Sequence, residues 1–156
     1  MTPEPTTADT VLAADRRTIG RTAAWLAKQV EIGLGQVDLS LPQYRILGLL
    51  DEHSEVSSGL AERLAVRPPT VTAVVDGLVA RGLVERQSVE GDRRRVGHVL
   101  TPEGLAILHD ADAAIEARLV VVTDAMDDAD ATEEAFRGLA RWRRALVAYS
   151  AARWGR

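Results

Sequence analysis

The chain has 156 residues, of which 46% are hydrophobic and 27% charged, and carries a formal net charge of −4, a balance within the usual range for one globular domain. No uninterrupted apolar run approaches the roughly 18 residues of a membrane span, and the N-terminus lacks the charged-then-apolar order of a secretory signal, so a cytoplasmic protein with no membrane partner is expected. Cysteine is absent, which excludes disulfides, thiolate metal sites and thiol-based redox sensing.

Residues 1–7, with two prolines and three threonines, read as a mobile tail. Ala8 to Gly33 follows as a long helix with apolar positions at Val11, Leu12, Ile19, Ala23, Leu26 and Val30, ending near Gly33 and Gly35. Ser40-Leu41-Pro42-Gln43 is a capping box: Ser40 accepts from the amide three residues on, Gln43 reaches back, and Pro42 is tolerated in the first turn. The helix it opens has Tyr44, Ile46, Leu47 and Leu50 as its buried stripe. Ser57 is expected to cap a short third helix carrying Leu60, Ala61 and Leu64.

Val66-Arg67 turns into a fourth helix within the stretch Pro68 to Gly82, with apolar residues at 71, 74, 75, 78 and 79 and a small, polar opposite face. Arg67 occupies the expected N-cap, where its cation opposes the helix dipole and a polar cap would contribute about 1 kcal/mol more. Either this is a suboptimal cap, or a DNA phosphate brought to that N-terminus offsets the cost, since free amides, dipole and guanidinium all favour an anion. Two β-prone runs follow, 83–87 and 96–100, around the excursion Glu90-Gly91-Asp92-Arg93-Arg94-Arg95. A helix with a spare face beside a basic hairpin is the winged helix-turn-helix arrangement, in which the helix enters a DNA major groove. Thr101-Pro102-Glu103 starts a fifth helix with Leu105, Leu108, Ile115, Leu119, Val122 and Met126 at near-heptad spacing. After the break at 127–130, the box Asp130-Ala131-Thr132-Glu133 opens a last helix with Ala135, Leu139, Trp142, Leu146 and Tyr149 on one side.

From Ser57 to Thr101 there are seven arginines against five acids, a net of +2, whereas the remainder carries −6. An acidic body bearing a locally basic module keeps non-specific DNA affinity low while preserving one docking face. The first, fifth and last helices carry apolar stripes exceeding what a core of about 65 residues can cover, so they need another partner. A monomeric helical cap over the winged unit is the alternative.

The stretch from Ser40 to Gly104 resembles the MarR family of bacterial transcription regulators. The resemblance rests on Leu60-Ala61-Glu62-Arg63-Leu64, Pro68-Pro69-Thr70-Val71-Thr72, Arg81-Gly82-Leu83-Val84-Glu85-Arg86 and Asp92-Arg93-Arg94, running to Leu100-Thr101-Pro102-Glu103-Gly104. It implies a mainly α fold with a small antiparallel wing, in which the N- and C-terminal helices interleave with those of a second subunit. The expected organisation is a tail (1–7), an N-terminal dimerisation helix (8–36), a winged helix-turn-helix DNA-binding domain (37–101) and C-terminal dimerisation helices (102–156). Two recognition helices one DNA turn apart, about 34 Å, would read a palindrome far more tightly than one. The function expected is a homodimeric repressor on a palindromic operator of double-stranded DNA, released by a small ligand.

Within that reading Arg94 enters the minor groove, as the resembling position does in the family, with Arg93 and Arg95 beside it; taken alone, such a run is a solvated face. Asp92 structures the wing by accepting turn amides and pairing with a neighbouring arginine. The groove-facing side of the fourth helix is Thr70, Ala73, Gly77 and Ala80, flanked by Pro68, Pro69, Thr72 and Asp76. The family often places arginines at the positions of Ala73 and Gly77, so bidentate guanine recognition is missing from mid-helix here. Gly77 marks either close approach to DNA or close helix–helix packing. Arg63, Arg67, Arg81 and Arg86 are candidate phosphate contacts, or ordinary surface cations.

Small amphipathic or phenolic ligands often bind near the dimerisation helices in the resembled family, and Trp25, Tyr44 and His98 are the candidate lining residues, each otherwise a core or interface side chain. His53, His98 and His109 lack metal-ligand spacing, so no metal and no cofactor are expected. Gly33-Leu34-Gly35 follows a helix, where a dinucleotide motif follows a strand, and no catalytic constellation is found. The rival to a DNA-binding regulator is a winged-helix module that binds protein instead.

Overall fold

The computed structural model describes residues 7–52, 55–89, 92–126 and 129–154, with backbone alone at 7–16, 55, 89, 92–95, 129, 151 and 154. Among the described residues six α-helices, with a 3-10 turn at Gly35–Val37, are joined by a small sheet: α1 (Thr7–Leu34), α2 (Leu41–Glu52), β1 (Glu55–Val56), α3 (Ser57–Leu64), α4 (Pro68–Ala80), β2 (Val84–Val89), β3 (Asp92–Leu100), α5 (Pro102–Thr123) and α6 (Ala129–Trp154). The mainly α architecture with an antiparallel wing is as the sequence predicts, and among the described residues no helix is long and apolar enough to cross a membrane.

The core is the inner face of the winged unit plus one stretch of α1 and one of α5. Ile46, Leu47 and Leu50 of α2, Leu60 and Leu64 of α3, and Val71, Val75 and Leu78 of α4 are buried together with Leu34, Leu83, Val84, Leu108 and Ala111. Each helix of the unit therefore buries a stripe at helical spacing, as its periodicity demands. The capping box at the start of α2 forms: the Ser40 amide donates to Gln43 Oε1 at 2.8 Å, and the Gln43 amide to Ser40 Oγ at 3.4 Å. Thr101 caps α5, accepting from the Gly104 amide at 2.9 Å and donating to the Gly82 carbonyl at 2.7 Å.

Several details differ from the sequence reading. α1 ends at Leu34, between Gly33 and Gly35 as expected, but Gly33 lies inside the helix. A Cβ at Gly33 would lie 3.0 Å from the Ile115 Cα, so the glycine instead marks where α1 crosses α5 with backbones close. The crossing is also tied by Arg118, whose Nε and Nη2 both donate to Gln29 Oε1, at 2.8 and 2.6 Å. The fifth helix ends at Thr123, leaving Met126 beyond it, and α6 begins at Ala129, so Asp130 lies inside the first turn rather than capping it. A third strand, β1, pairs with β3 through Glu55↔His98 and Val56↔Gly97, giving the sheet order β1-β3-β2. Two residues between helices offer no alternation to read, so β1 is invisible in sequence.

Candidate nucleic-acid interface

α3, the turn after it and α4 form the helix-turn-helix. Ala65 closes α3 in the left-handed region (φ 54°), its amide donating to the Glu62 carbonyl at 3.1 Å while the Val66 amide reaches Ala61 O at 3.0 Å. That double closure satisfies the end of α3 and aims the chain into α4. Ser57 does not cap α3. It is the first residue of the helix, behind Val56 at the cap, and its Oγ shares a 2.8 Å hydrogen bond with His98 Nε2 on β3.

At α4 the N-cap is Arg67, with extended backbone and no side-chain cap bond. The anion-binding argument for this terminus is corrected by its amides. Pro68 and Pro69 have no N–H, and the Thr70 and Val71 amides both donate to the Arg67 carbonyl, at 3.0 and 3.4 Å. A terminus with no free amide cannot cradle a phosphate through its backbone. What is left for an anion is the helix dipole and the exposed Arg67 guanidinium.

Pro68, Pro69, Thr70, Thr72, Ala73, Asp76 and Ala80 form an exposed face of α4. Thr72 Oγ1 donates to the Pro68 carbonyl at 3.1 Å, so its hydroxyl proton is engaged within the helix. A Cβ at Gly77 would meet nothing within 4 Å. Close packing inside this chain therefore does not account for the glycine.

The two strands of the hairpin fall out of step beyond Ser88. β2 and β3 pair in register from Val84↔Leu100 to Ser88↔Val96, and the next pair is Val89↔Asp92. One step on β2 is thus matched by four on β3, and Arg93, Arg94 and Arg95 are the residues left without a cross-strand partner. Such an irregularity bends a ribbon locally. The side chains of Asp92, Arg93, Arg94 and Arg95 lie outside the described residues, as do Glu90 and Gly91 and the whole of His53.

The other candidate cations are engaged within the chain. Arg63 Nη2 lies 2.9 Å from Glu52 Oε2 with its side chain only 15% exposed, so it faces the end of α2 more than solvent. Arg81, which ends α4, donates from Nη1 to the Asp38 carbonyl at 2.7 Å. Arg86 on β2 is ion-paired with Asp76 on α4. The sequence reading missed that last pair, though a signal was present: 76 and 86 stand five residues either side of the Arg81 corner and carry opposite charge.

Of the three residues considered for a ligand cavity, no two are brought together. Trp25 is 78% exposed and lines an open groove of about 420 Å³ with Thr18, Arg21, Leu26, Gln29 and Val122, between α1 and α5. Tyr44 instead donates to Asp112 Oδ1 on α5 at 2.6 Å, and burial together with that carboxylate holds its phenol protonated far above the ordinary range. His98 is buried in the winged unit, and its Nδ1 finds no hydrogen-bond partner among the described residues. Burial, then the nearby Arg86 guanidinium, push its pKa below 6.5, against a smaller opposing pull from Asp76. His109 is exposed on α5, and no three His, Asp or Glu side chains gather among the described residues.

Comparison with known proteins bears on this geometry. The MarR family profile matches residues 37–95, which span α2 through the wing. No curated protein sequence matches the chain. Among solved structures, the transcriptional regulator BldR from Sulfolobus solfataricus is 29% identical, covers 90% of this chain and 99% of its own, and superposes with a TM-score of 0.63. Wild-type MarR from E. coli, in its apo form, is 23% identical over 80% of this chain and 93% of its own, with a TM-score of 0.69. A mutant of S. aureus MepR bound to an oligodeoxyribonucleotide is 19% identical over 84% of this chain and 96% of its own, with a TM-score of 0.60. With the helix-turn-helix, the wing and the flanking helices all in place, the chain has the fold of these winged-helix proteins, and its residues 37–95 resemble the MarR family.

Proposed function

We propose that the chain is a cytoplasmic transcriptional repressor that binds a palindromic DNA operator as a homodimer and is released by a small amphipathic or phenolic ligand. The observation that carries the reading is the pairing of an exposed, small-residue face on α4 with an arginine run bulged from the adjacent ribbon. Residues 37–101 are the DNA-binding domain. Thr70, Thr72, Ala73 and Gly77, with Pro68 and Pro69, lie against the major groove, Arg67 meets a phosphate, and Arg93, Arg94 and Arg95 reach the minor groove from a wing that Asp92 structures. Arg63, Arg81 and Arg86 contact phosphate only by giving up or sharing their present partners.

Residues 8–36 and 102–156 form the dimer. α6 has no extended packing partner among the described residues, and it leaves Leu139, Trp142, Leu146 and Tyr149 exposed along one side. A run of that size on one helix is too large to be left in water and calls for a protein surface. The groove beside Trp25 is the natural place for a ligand to alter how the two subunits sit.

The test is duplex binding across a salt series, using DNA from upstream of the gene. Log affinity should fall steeply and linearly with log salt. A chain with no duplex affinity even at low salt would instead be a protein-binding winged helix, a reading favoured only by the missing mid-helix arginines at Ala73 and Gly77.

A further inference from the structure

One rung of the wing is fastened to both helices of the helix-turn-helix. At the cross-strand pair Arg86↔His98, His98 bonds Ser57 on α3 and Arg86 bonds Asp76 on α4. Residues directly opposite each other on neighbouring strands share a face, so the two ties leave the ribbon together. We propose that Asp76 and Arg86 are a positioning pair, fixing the angle between wing and recognition helix so that the two meet neighbouring grooves as one rigid reader. The proposal rests on the DNA-binding reading above and assigns roles that reading lacks: Arg86 is a strut rather than a phosphate clamp, and Asp76 is its anchor.

The chemistry favours this assignment in two ways. A carboxylate on the exposed face of a helix that enters a groove is repelled by phosphate, so Asp76 acting alone opposes binding. Paired with Arg86, its charge is neutralised and becomes a link between two elements. Both side chains are about half exposed, 46% for Arg86 and 54% for Asp76, and exposed ion pairs contribute little to folding stability. The pair's effect therefore falls on geometry, while the half-buried His98–Ser57 bond holds the base of the ribbon against α3. Beyond Ser88 the register breaks, so the backbone that carries the arginines is positioned by whatever fixes the ribbon below it.

The experiment uses the full chain with Asp76→Ala, Arg86→Gln and both together, measuring affinity for an operator duplex and a non-operator duplex across a salt series. The expected result is a three- to tenfold loss of operator affinity in each single variant, no further loss in the double, and an unchanged salt slope and Tm. Asp76→Ala should leave non-operator affinity the same or raise it. Operator binding that tightens in Asp76→Ala overturns the proposal, because the acid would then be only a repulsive charge. So does a salt slope that flattens in Arg86→Gln alone, the mark of a phosphate clamp. A second arm needs no DNA: amide exchange along β2 and β3 should rise two- to fivefold in Asp76→Ala, and unchanged exchange overturns the link. If no duplex binds but exchange responds, the link stands and the DNA-binding reading is what fails.

Discussion

The winged unit and the helices that flank it are written in the same apolar periodicity, yet they come to rest differently. In α2, α3 and α4 the stripes close on one another, and Ile46, Leu47, Leu60, Leu78, Val71 and Val75 are essentially removed from water. In α1 and α6 they do not. Ile19, Trp25, Trp142, Leu146 and Tyr149 remain exposed, and α5 is divided, with Leu108 and Ala111 buried while Val120 and Val121 are in solvent. A period of 3.6 therefore announces that a face will be covered, but not whether the cover comes from the same chain. The difference lies in topology: short connections fold α2–α4 back on themselves, whereas α1 and α6 are 28 and 26 residues long and outrun the unit they frame.

The most forceful way to break the comparison is to make the exposed stripe polar. Trp142→Glu with Leu146→Glu should leave the winged core intact and separate the subunits, visible as a monomer in sedimentation. Because linked recognition modules exceed the affinity of one by about 10²- to 10⁴-fold, operator affinity should fall at least a hundredfold. A matched change on the other side, Leu60→Ala, should cost about 2–5 kcal/mol of folding stability by opening a cavity. If the α6 variant stays dimeric, or binds the operator as a monomer with unchanged affinity, α6 is not the second subunit's cover.

Within the winged unit the same contrast can be drawn between its two DNA-facing parts. Arg94→Ala should weaken binding about tenfold and flatten the slope of log affinity against log salt by up to about 1 per half-site, since a cation that displaces counterions is removed. Thr70→Ala should leave the slope nearly unchanged and relax preference at one base pair per half-site, because a hydroxyl or methyl contact displaces no ion. Wild-type affinity and slope in the Arg94 variant would reduce the bulged arginines to a solvated run.

Gly77→Ala sharpens the question of why α4 tolerates a glycine. With open space around the missing Cβ, alanine should stabilise the helix by about 0.5–1 kcal/mol, read as a higher Tm. If the glycine is there for close approach to DNA, operator affinity should fall severalfold at the same time. A variant that is both more stable and fully active would remove Gly77 from the interface.

Most of this architecture was legible because it depends on local chemistry. The Ser40–Gln43 box, the Thr101 cap, the Arg67-Pro68 helix start and the stripes of α2 to α4 are each decided within a few residues, and each is found where expected. What escaped is decided by pairing across space. Strand β1 exists only because β3 lies beside it, and Ser57, a good capping residue by type, is drawn to His98, 41 positions away. Arg63, Arg81 and Arg86 looked like free surface cations until the fold set Glu52, Asp38 and Asp76 against them. The loss of a phosphate cradle at α4 was legible in principle, since two prolines in succession leave no amide to offer.

The smallest expected effect tests how firmly the wing is seated on the helices. His98 is held neutral by burial and by the Arg86 guanidinium, so its pKa in the folded chain lies below the unfolded value of 6.5. The folded state then binds fewer protons than the unfolded one as pH falls, and stability must rise with pH across that window. The contribution is fully present above the unfolded pKa and is lost as acidification proceeds from about pH 6.5 down to the lowered folded value. A proton arriving at the ring would also find no hydrogen-bond partner at Nδ1 among the described residues. His98→Gln, which can still bond the Ser57 hydroxyl but does not titrate, should flatten the pH dependence of Tm in this window while leaving Tm at neutral pH nearly unchanged. A wild-type Tm that is flat between about pH 7 and 5, or a variant with the same dependence as wild type, would show that the seat of the wing does not sense this proton.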